Sequence, residues 1–182
     1  MSTGPYIQTR SGEHLFLQSP DPWKITLEDI AHALSNLCRF TGHTSTFYSV
    51  AQHSVMVAHM AQDAGCNLAT QRAALMHDAV EAFLGDVSSP LKSLLPGYKE
   101  LEDVWWRAVA HRFALLPELP RTVKLFDARA VVEEAYAFRG EGPTGPGWPD
   151  VDVDPDAPAL TPWAPRQAFE AFMREAARVD VA

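Results

Sequence analysis

The chain has 182 residues, and its 15 Lys and Arg against 23 Asp and Glu give a formal net charge of −8. This acidity excludes a protein that coats nucleic acid through its overall field, because duplex binding needs basic surface. At 47% hydrophobic and 21% charged, the chain is not disordered as a whole, and its length predicts a single domain over residues 1–182. No apolar run suits a membrane span and no signal peptide is recognisable, so we expect a cytoplasmic protein without a membrane partner. Cys38 and Cys66 form no CxxC pair and are expected to be reduced thiols.

The pattern of apolar residues predicts an all-α helical bundle preceded by a small β-hairpin. Ser11-Gly12 separates two short apolar runs and is typical of a hairpin turn. Thr26, Ser49 and Asn67 each stand directly before a run of helical period and are predicted N-caps. The predicted elements are a hairpin over 6–18, helices over 26–40, 49–64, 67–84, 98–115, 121–138 and 165–178, and a loop over 86–97.

The segment 140–165 differs in composition from the predicted helical core over 26–138. It contains seven prolines, four glycines and five acidic residues but no Lys or Arg. Such a composition predicts an extended segment on the surface, which we call the strap, and Trp148 and Trp163 are candidates to hold it on the body. The sequence leaves open whether the strap covers a functional site.

Three predicted helices each direct a residue capable of binding metal towards the core. His53 falls on an apolar stripe of the second helix, and Asp127 lies among the apolar residues of the fifth. On the third helix, His77 and Glu81 share one stripe, with Asp78 beside His77. Buried ionisable groups need partners or a metal. Two imidazoles with two carboxylates indicate Mn, Co, Fe, Ni or Zn rather than calcium, with Mg also open.

The pattern His53…His77-Asp78…Asp127 resembles the metal signature of the HD-domain phosphohydrolases. The surrounding sequence is similar to the bacterial 5′-deoxynucleotidases of that superfamily over about residues 27–138. Two positions differ from the usual sequence of that group: Phe40 stands in place of Trp, and Gln52 in place of Glu. Thr41-Gly42-His43 also looks like an insertion relative to that group. The motifs that carry the resemblance are, in order, Arg39-Phe40, Val50-Ala51-Gln52-His53-Ser54, His77-Asp78-Ala79-Val80-Glu81, Gly85-Asp86 and Pro90-Leu91-Lys92.

The resemblance implies an HD-domain fold and a division of roles among these residues. His53, His77, Asp78 and Asp127 are the expected metal ligands. Glu81 follows His77 by one helical turn and is placed to orient or deprotonate a water molecule, and Asp86 is expected to act in line with the scissile bond. The expected substrate-binding residues are Arg39 and Lys92 for phosphate, Phe40 for a sugar or base, His43 near the sugar pocket and Ser89, of the pair Ser88-Ser89, as a hydrogen-bond donor to phosphate.

Release of phosphate from deoxynucleoside 5′-monophosphates is the first functional hypothesis, with a small nucleotide as partner. A deoxynucleoside triphosphate triphosphohydrolase is the close alternative, and it needs more basic side chains near the metal, for which Lys99, Arg121 and Lys124 are candidates. A domain that senses nucleotides without hydrolysing them is the alternative from a different class. Whether the chain forms a homo-oligomer stays open.

Overall fold

The computed structural model describes residues 4–140, 142–153 and 159–181, and this part of the chain is mostly helical. A two-stranded antiparallel hairpin comes first, with β1 paired to β2 in the register Ile7 opposite Leu15. The elements are β1 (Tyr6–Gln8), β2 (His14–Phe16), α1 (Leu27–Asn36), α2 (Val50–Asp63), α3 (Leu68–Met76), α4 (Glu81–Leu84), α5 (Ser89–Lys92), α6 (Tyr98–Arg112), α7 (Arg121–Phe138) and α8 (Pro165–Arg178). No helix of this part is long and apolar enough to cross a membrane.

The predicted N-caps are confirmed at the first three helices. The side chain of Thr26 accepts a hydrogen bond from the backbone of α1, Ser49 does so for α2, and Asn67 for α3. Each oxygen satisfies an amide that has no acceptor within its own helix. The predicted hairpin and the helices over 121–138 and 165–178 are also confirmed, and both cysteines are free.

Asp29 fastens the hairpin to the first turn of α1. Its carboxylate accepts hydrogen bonds from the Ser11 amide at 2.9 Å, the Ser11 hydroxyl at 2.6 Å and the Thr26 hydroxyl at 2.8 Å. Burial works to raise the pKa of Asp29, but the hydrogen bonds from Ser11 and Thr26 outweigh it and hold the pKa below the ordinary 3.8.

We expect Asp29→Asn to lower the free energy of unfolding at pH 7 by about 2 kcal/mol, because hydrogen bonds to a charged acceptor are lost. A carboxyl whose folded pKa is depressed stabilises the fold above its unfolded pKa, and this contribution is lost as the pH falls through the folded value. The gap between wild type and variant should therefore be full at pH 7 and shrink at pH values below 3.8. Urea unfolding at pH 7 and pH 3 measures it, and an equal gap at both would contradict the ionic role.

Helix α2 lies at the centre of the bundle and packs against α1, α3, α7 and α8. Its buried face alternates small and branched residues, with Ala51, Ala58 and Ala61 among those that are fully inaccessible. Small side chains let neighbouring helices approach closely. Because α2 contacts both α3 and α7, the candidate metal-binding residues on α2, on α7 and in the turn directly after α3 come together.

The prediction that the first helix continues to Phe40 is wrong. Helix α1 ends at Asn36, and the chain from Leu37 to Arg39 is extended. The Arg39 amide donates to the Tyr48 carbonyl and the Val50 amide donates to the Leu37 carbonyl, so this stretch pairs with the chain entering α2. A long-range backbone pairing has replaced the last helical turn.

The prediction of one uninterrupted helix over 67–84 is also wrong. The chain forms a turn over 77–80 between α3 and α4. There the Ala79 amide bonds to the Met76 carbonyl and the Glu81 amide to the Asp78 carbonyl, which is the tighter three-residue pattern. The predicted loop over 86–97 contains the short helix α5, which tolerates Pro90 in its first turn.

The described residues of the strap, 140, 142–153 and 159–165, contain no helix or strand before Pro165, where α8 begins. Gln52 on α2 holds the strap at one end: its amide nitrogen donates to the Thr161 carbonyl and its amide oxygen accepts from the Trp163 amide, both at 2.8 Å. Trp163 packs against the hydrophobic core. Residues 154–158 lie outside the described part.

Candidate metal centre and cavity

Two buried imidazoles face each other where α2 meets the end of α3. The Nε2 atoms of His53 and His77 are 3.2 Å apart. His77 Nδ1 is 2.8 Å from the Ala74 carbonyl oxygen, which can only accept, so this nitrogen carries a proton. His53 Nδ1 is 2.6 Å from the Glu134 carboxylate. With both Nδ1 atoms donating, both Nε2 lone pairs point at one place, and a cation between them relieves their repulsion.

Asp127 on α7 completes a group that could hold a metal ion. Its Oδ1 lies 3.2 Å from His53 Nε2 and 3.8 Å from His77 Nε2, and one ligand atom from each of the three residues lies within 4.8 Å of the others. Asp78 stands beside them, with Oδ2 at 3.3 Å from His77 Nε2 and 3.5 Å from His53 Nε2. Two neutral imidazoles with carboxylate oxygens fit a divalent transition metal. The donor set does not select among these metals.

The same proximity shifts the pKa values of all four residues. Burial works against protonation of His77, but the charges of Asp78 and Asp127 outweigh it and raise its pKa well above the ordinary value. The pKa of His53 is also raised, since Glu134 and Asp127 outweigh burial and the nearby Arg39. The imidazoles in turn hold the pKa of Asp78 at about 2 and that of Asp127 lower still, against the effect of burial. A metal ion would replace protons here.

Glu134 is a buried residue of this centre that the sequence analysis missed. It is fully inaccessible, and besides His53 it accepts from Arg39 Nε at 2.9 Å and from the Tyr48 hydroxyl at 3.0 Å. Although burial works to raise the pKa of Glu134, Arg39 and His53 keep it below the ordinary value, so the group is a carboxylate. Glu134 follows Asp127 by seven residues, two helical turns, and this spacing on one face is the signal that could have found it.

A cavity of about 420 Å³ opens in front of the metal-binding group. The sequence predicted eleven site residues, and eight of them line this cavity. The strap contributes Gly147, Trp148 and Pro149 to its wall. The eight predicted residues are Arg39, Phe40, Asp78, Glu81, Asp86, Ser89, Lys92 and Asp127.

Of the remaining three predicted residues, His53 and His77 are buried behind this wall. His43 is exposed and does not line the cavity, so the expected substrate contact of this side chain stays a prediction that the cavity does not support. The turn over 40–42 brings Phe40 to the cavity and leaves His43 outside it.

Glu81 is buried at the junction of the turn with α4. Its Oε1 lies 3.6 Å from Lys92 Nζ, and its Oε2 has no hydrogen-bond partner among the described residues. Burial and the neighbouring charges of Asp78 and Asp86 raise the pKa of Glu81 well above the ordinary value. Burial also raises the pKa of Asp86. Both groups hold a proton more readily than an exposed carboxylate does.

A second cavity, of about 340 Å³, shares Asp78, Glu81 and Lys92 with the first and also touches His77. Its wall adds Lys99 and Lys124 but also three acidic residues, Glu102, Asp103 and Glu118. Lys92 is 2.9 Å from Glu102, and Lys99 is paired with Asp103. Arg121, the other basic candidate, lines neither cavity. The second cavity therefore has little free positive charge.

No known family profile matches the chain. Its sequence is 37% identical over 170 residues to YfdR, an uncharacterized protein of Escherichia coli K12, and the match covers 92% of each chain. The protein belongs to the YfdR family. It is also 42% identical over 119 residues to an uncharacterized protein of Rhodobacter capsulatus, a match that covers 63% of this chain and 61% of the other.

The match to YfdR is longer than the segment 27–138, so the similarity extends well beyond the helical core. Since both relatives are described as uncharacterized, membership of the YfdR family assigns no activity.

Proposed function

We propose that this member of the YfdR family is an HD-type, metal-dependent phosphohydrolase that releases phosphate from deoxynucleoside 5′-monophosphates. The observation that carries the proposal is the group His53, His77 and Asp127 at the back of a cavity that also presents Arg39 and Lys92. Hydrolysis of a phosphate ester requires neutralisation of the phosphoryl charge and an oriented water molecule. A cation site and two basic side chains meet the first requirement in one place.

A divalent ion bound by His53, His77 and Asp127, with Asp78 beside them, would polarise a phosphoryl oxygen or acidify a water molecule. Arg39 binds and orients phosphate, since Glu134 occupies its Nε and fixes the guanidinium, whose other N–H groups can still donate. Lys92 adds a positive charge on the opposite wall of the cavity.

Glu81 and Asp86 carry the proton transfers in this proposal. The raised pKa of Glu81 makes its carboxylate a stronger base than an exposed one and suits it to accept the proton of the attacking water. The raised pKa of Asp86 suits it to hold a proton for the leaving 5′ oxygen. Two carboxyl groups on one cavity wall therefore take complementary parts.

Charge favours a monophosphate over a triphosphate substrate. A triphosphate would need further cations around the metal, and the second cavity offers Lys99 and Lys124 among more numerous acidic groups. The first cavity presents two cations, Arg39 and Lys92, and both are already paired with carboxylates, so with a metal ion they would neutralise one phosphate rather than three. The triphosphohydrolase remains the second candidate because the two cavities share the wall at Glu81.

Phosphate release from deoxynucleoside mono- and triphosphates, each with Mn, Co or Mg added after chelator treatment, tests the proposal. We expect inorganic phosphate from monophosphates, with turnover that depends on the added metal. Tripolyphosphate released from triphosphates would indicate the second candidate instead. Nucleotide binding without any turnover, under every metal, would indicate a sensor and contradict the proposal.

A further inference from the structure

The chain beside Arg39 adopts a disfavoured backbone conformation at the edge of the first cavity. Phe40 has φ +56 and Thr41 has φ +55, in the left-handed region that side chains other than glycine rarely adopt. Such strain persists only where the surrounding structure maintains it, and it is concentrated at ligand sites. Here it places the Phe40 ring in the cavity wall.

The strap brings a second aromatic ring to the same wall. Trp148 lies with its ring centroid 6.4 Å from that of Phe40 and an angle of 32° between the two planes. Its indole N–H donates to the Thr144 carbonyl at 3.1 Å within the strap, so this polar group is already satisfied. Trp148 therefore offers a ligand the face of its ring rather than a hydrogen bond.

Cations surround this aromatic pair. The Arg139 guanidinium carbon lies 5.1 Å from the Trp148 ring centroid and 5.7 Å from that of Phe40, and Arg39 lies 5.5 Å from Phe40. A guanidinium over a ring holds it in place by cation–π attraction. A guanidinium therefore lies over part of each ring, and both rings also line the cavity in front of the candidate metal-binding group.

We propose that Trp148 of the strap and Phe40 form a clamp that stacks on the nucleobase of the substrate. The inference rests on the proposed function for the phosphate end of the ligand. A base stacked between two rings needs their planes about 7 Å apart, and these two rings have centroids 6.4 Å apart with planes tilted by 32°. A small outward movement of the Trp148 ring would admit a planar base, and since stacking reads no base edges, we expect tolerance of all four bases.

The first test compares a substrate that has a base with one that lacks it. For Trp148→Ala we expect the ratio of KM for dAMP to KM for deoxyribose 5-phosphate to rise about tenfold, which is the effect of losing one stacking partner. In Trp148→Phe an aromatic ring is kept, so this ratio should return most of the way to the wild-type value. A Trp148 that only supports the fold, or only obstructs the cavity, would change both KM values alike and leave the ratio unchanged. Trp23→Phe is the control, because Trp23 is exposed and lines neither cavity.

The second test needs no turnover. Titration of the chelator-treated protein with dAMP should quench its indole fluorescence, and Trp148→Phe should remove the quenching while Trp23→Phe should retain it. Quenching that depends on Trp148 without phosphate release from any substrate would support the clamp and contradict the proposed function. Phosphate release from dAMP with an unchanged KM ratio, or no Trp148-dependent quenching, would overturn the clamp and leave the proposed function standing.

Discussion

Asp127→Ala is expected to weaken binding of a divalent transition metal by more than about 100-fold and to reduce turnover at least as much, since losing a supporting residue alone costs 10–100-fold. The variant removes the carboxylate of the three-residue group, so that only the two imidazole nitrogens remain. Its fold should survive, because the Asp127 side chain is 43% exposed. Titration calorimetry of the chelator-treated protein measures the affinity, and elemental analysis measures the bound metal.

Asp63→Ala is the matched control for this variant. Asp63 is an exposed carboxylate at the end of α2. Added metal should raise the melting temperature of wild type and of Asp63→Ala alike, because a ligand that binds only the folded state stabilises it. Metal content and metal-dependent stabilisation in Asp127→Ala equal to the control values would refute the ligand assignment.

Glu134→Gln is expected to lower the free energy of unfolding by about 3 kcal/mol, because breaking a buried ion pair leaves a buried charge poorly compensated. That charge belongs to Arg39, which is buried and 2.9 Å from Glu134, and whose other carboxylate neighbour, Asp78, is farther away at 3.6 Å. Metal affinity should also fall by about 10–100-fold, since the carboxylate that fixes His53 is lost. Urea unfolding of the metal-free protein and metal titration of the folded variant separate the two effects.

The neighbouring residue supplies the control. Glu133→Gln removes a carboxylate from the same turn of α7, but its partner Arg129 is on the surface, and such pairs contribute about 0–1 kcal/mol. We expect this variant to keep its metal affinity. If the two Gln variants had the same stability and the same affinity, Glu134 would not be the link between His53 and Arg39.

The sequence was sufficient for most helices and for the three residues that could hold a metal ion. Helical periodicity placed His53 and Asp127 on inward faces, and capping residues located the starts of the first three helices. Both signals are local, so they do not depend on the neighbours that a helix acquires on folding. The site residues were less predictable where their environment comes from another element. Arg39 was predicted to bind phosphate, but its buried pairing with Glu134, far away in sequence, was not predicted.

The two errors in helix boundaries have different physical origins. The helical pattern continues through Leu37, but backbone pairing with the segment entering α2 replaces the helix there. This pairing outweighs local helix propensity, which is worth less than about 1 kcal/mol for an ordinary residue. At His77 the cause is local, since its Nδ1 bonds back to the Ala74 carbonyl and the chain tightens over 77–80.

The sequence by itself determined that this acidic chain would be a helical protein with imidazoles and carboxylates facing its core. Only the tertiary structure decided which buried charged residues pair with one another. It paired Glu134 with Arg39 and His53, and it brought the acidic strap with Trp148 to the edge of the cavity. Periodicity records which face of a helix is buried, whereas the partner of a buried charge depends on which helices pack together, and that is a property of the whole fold.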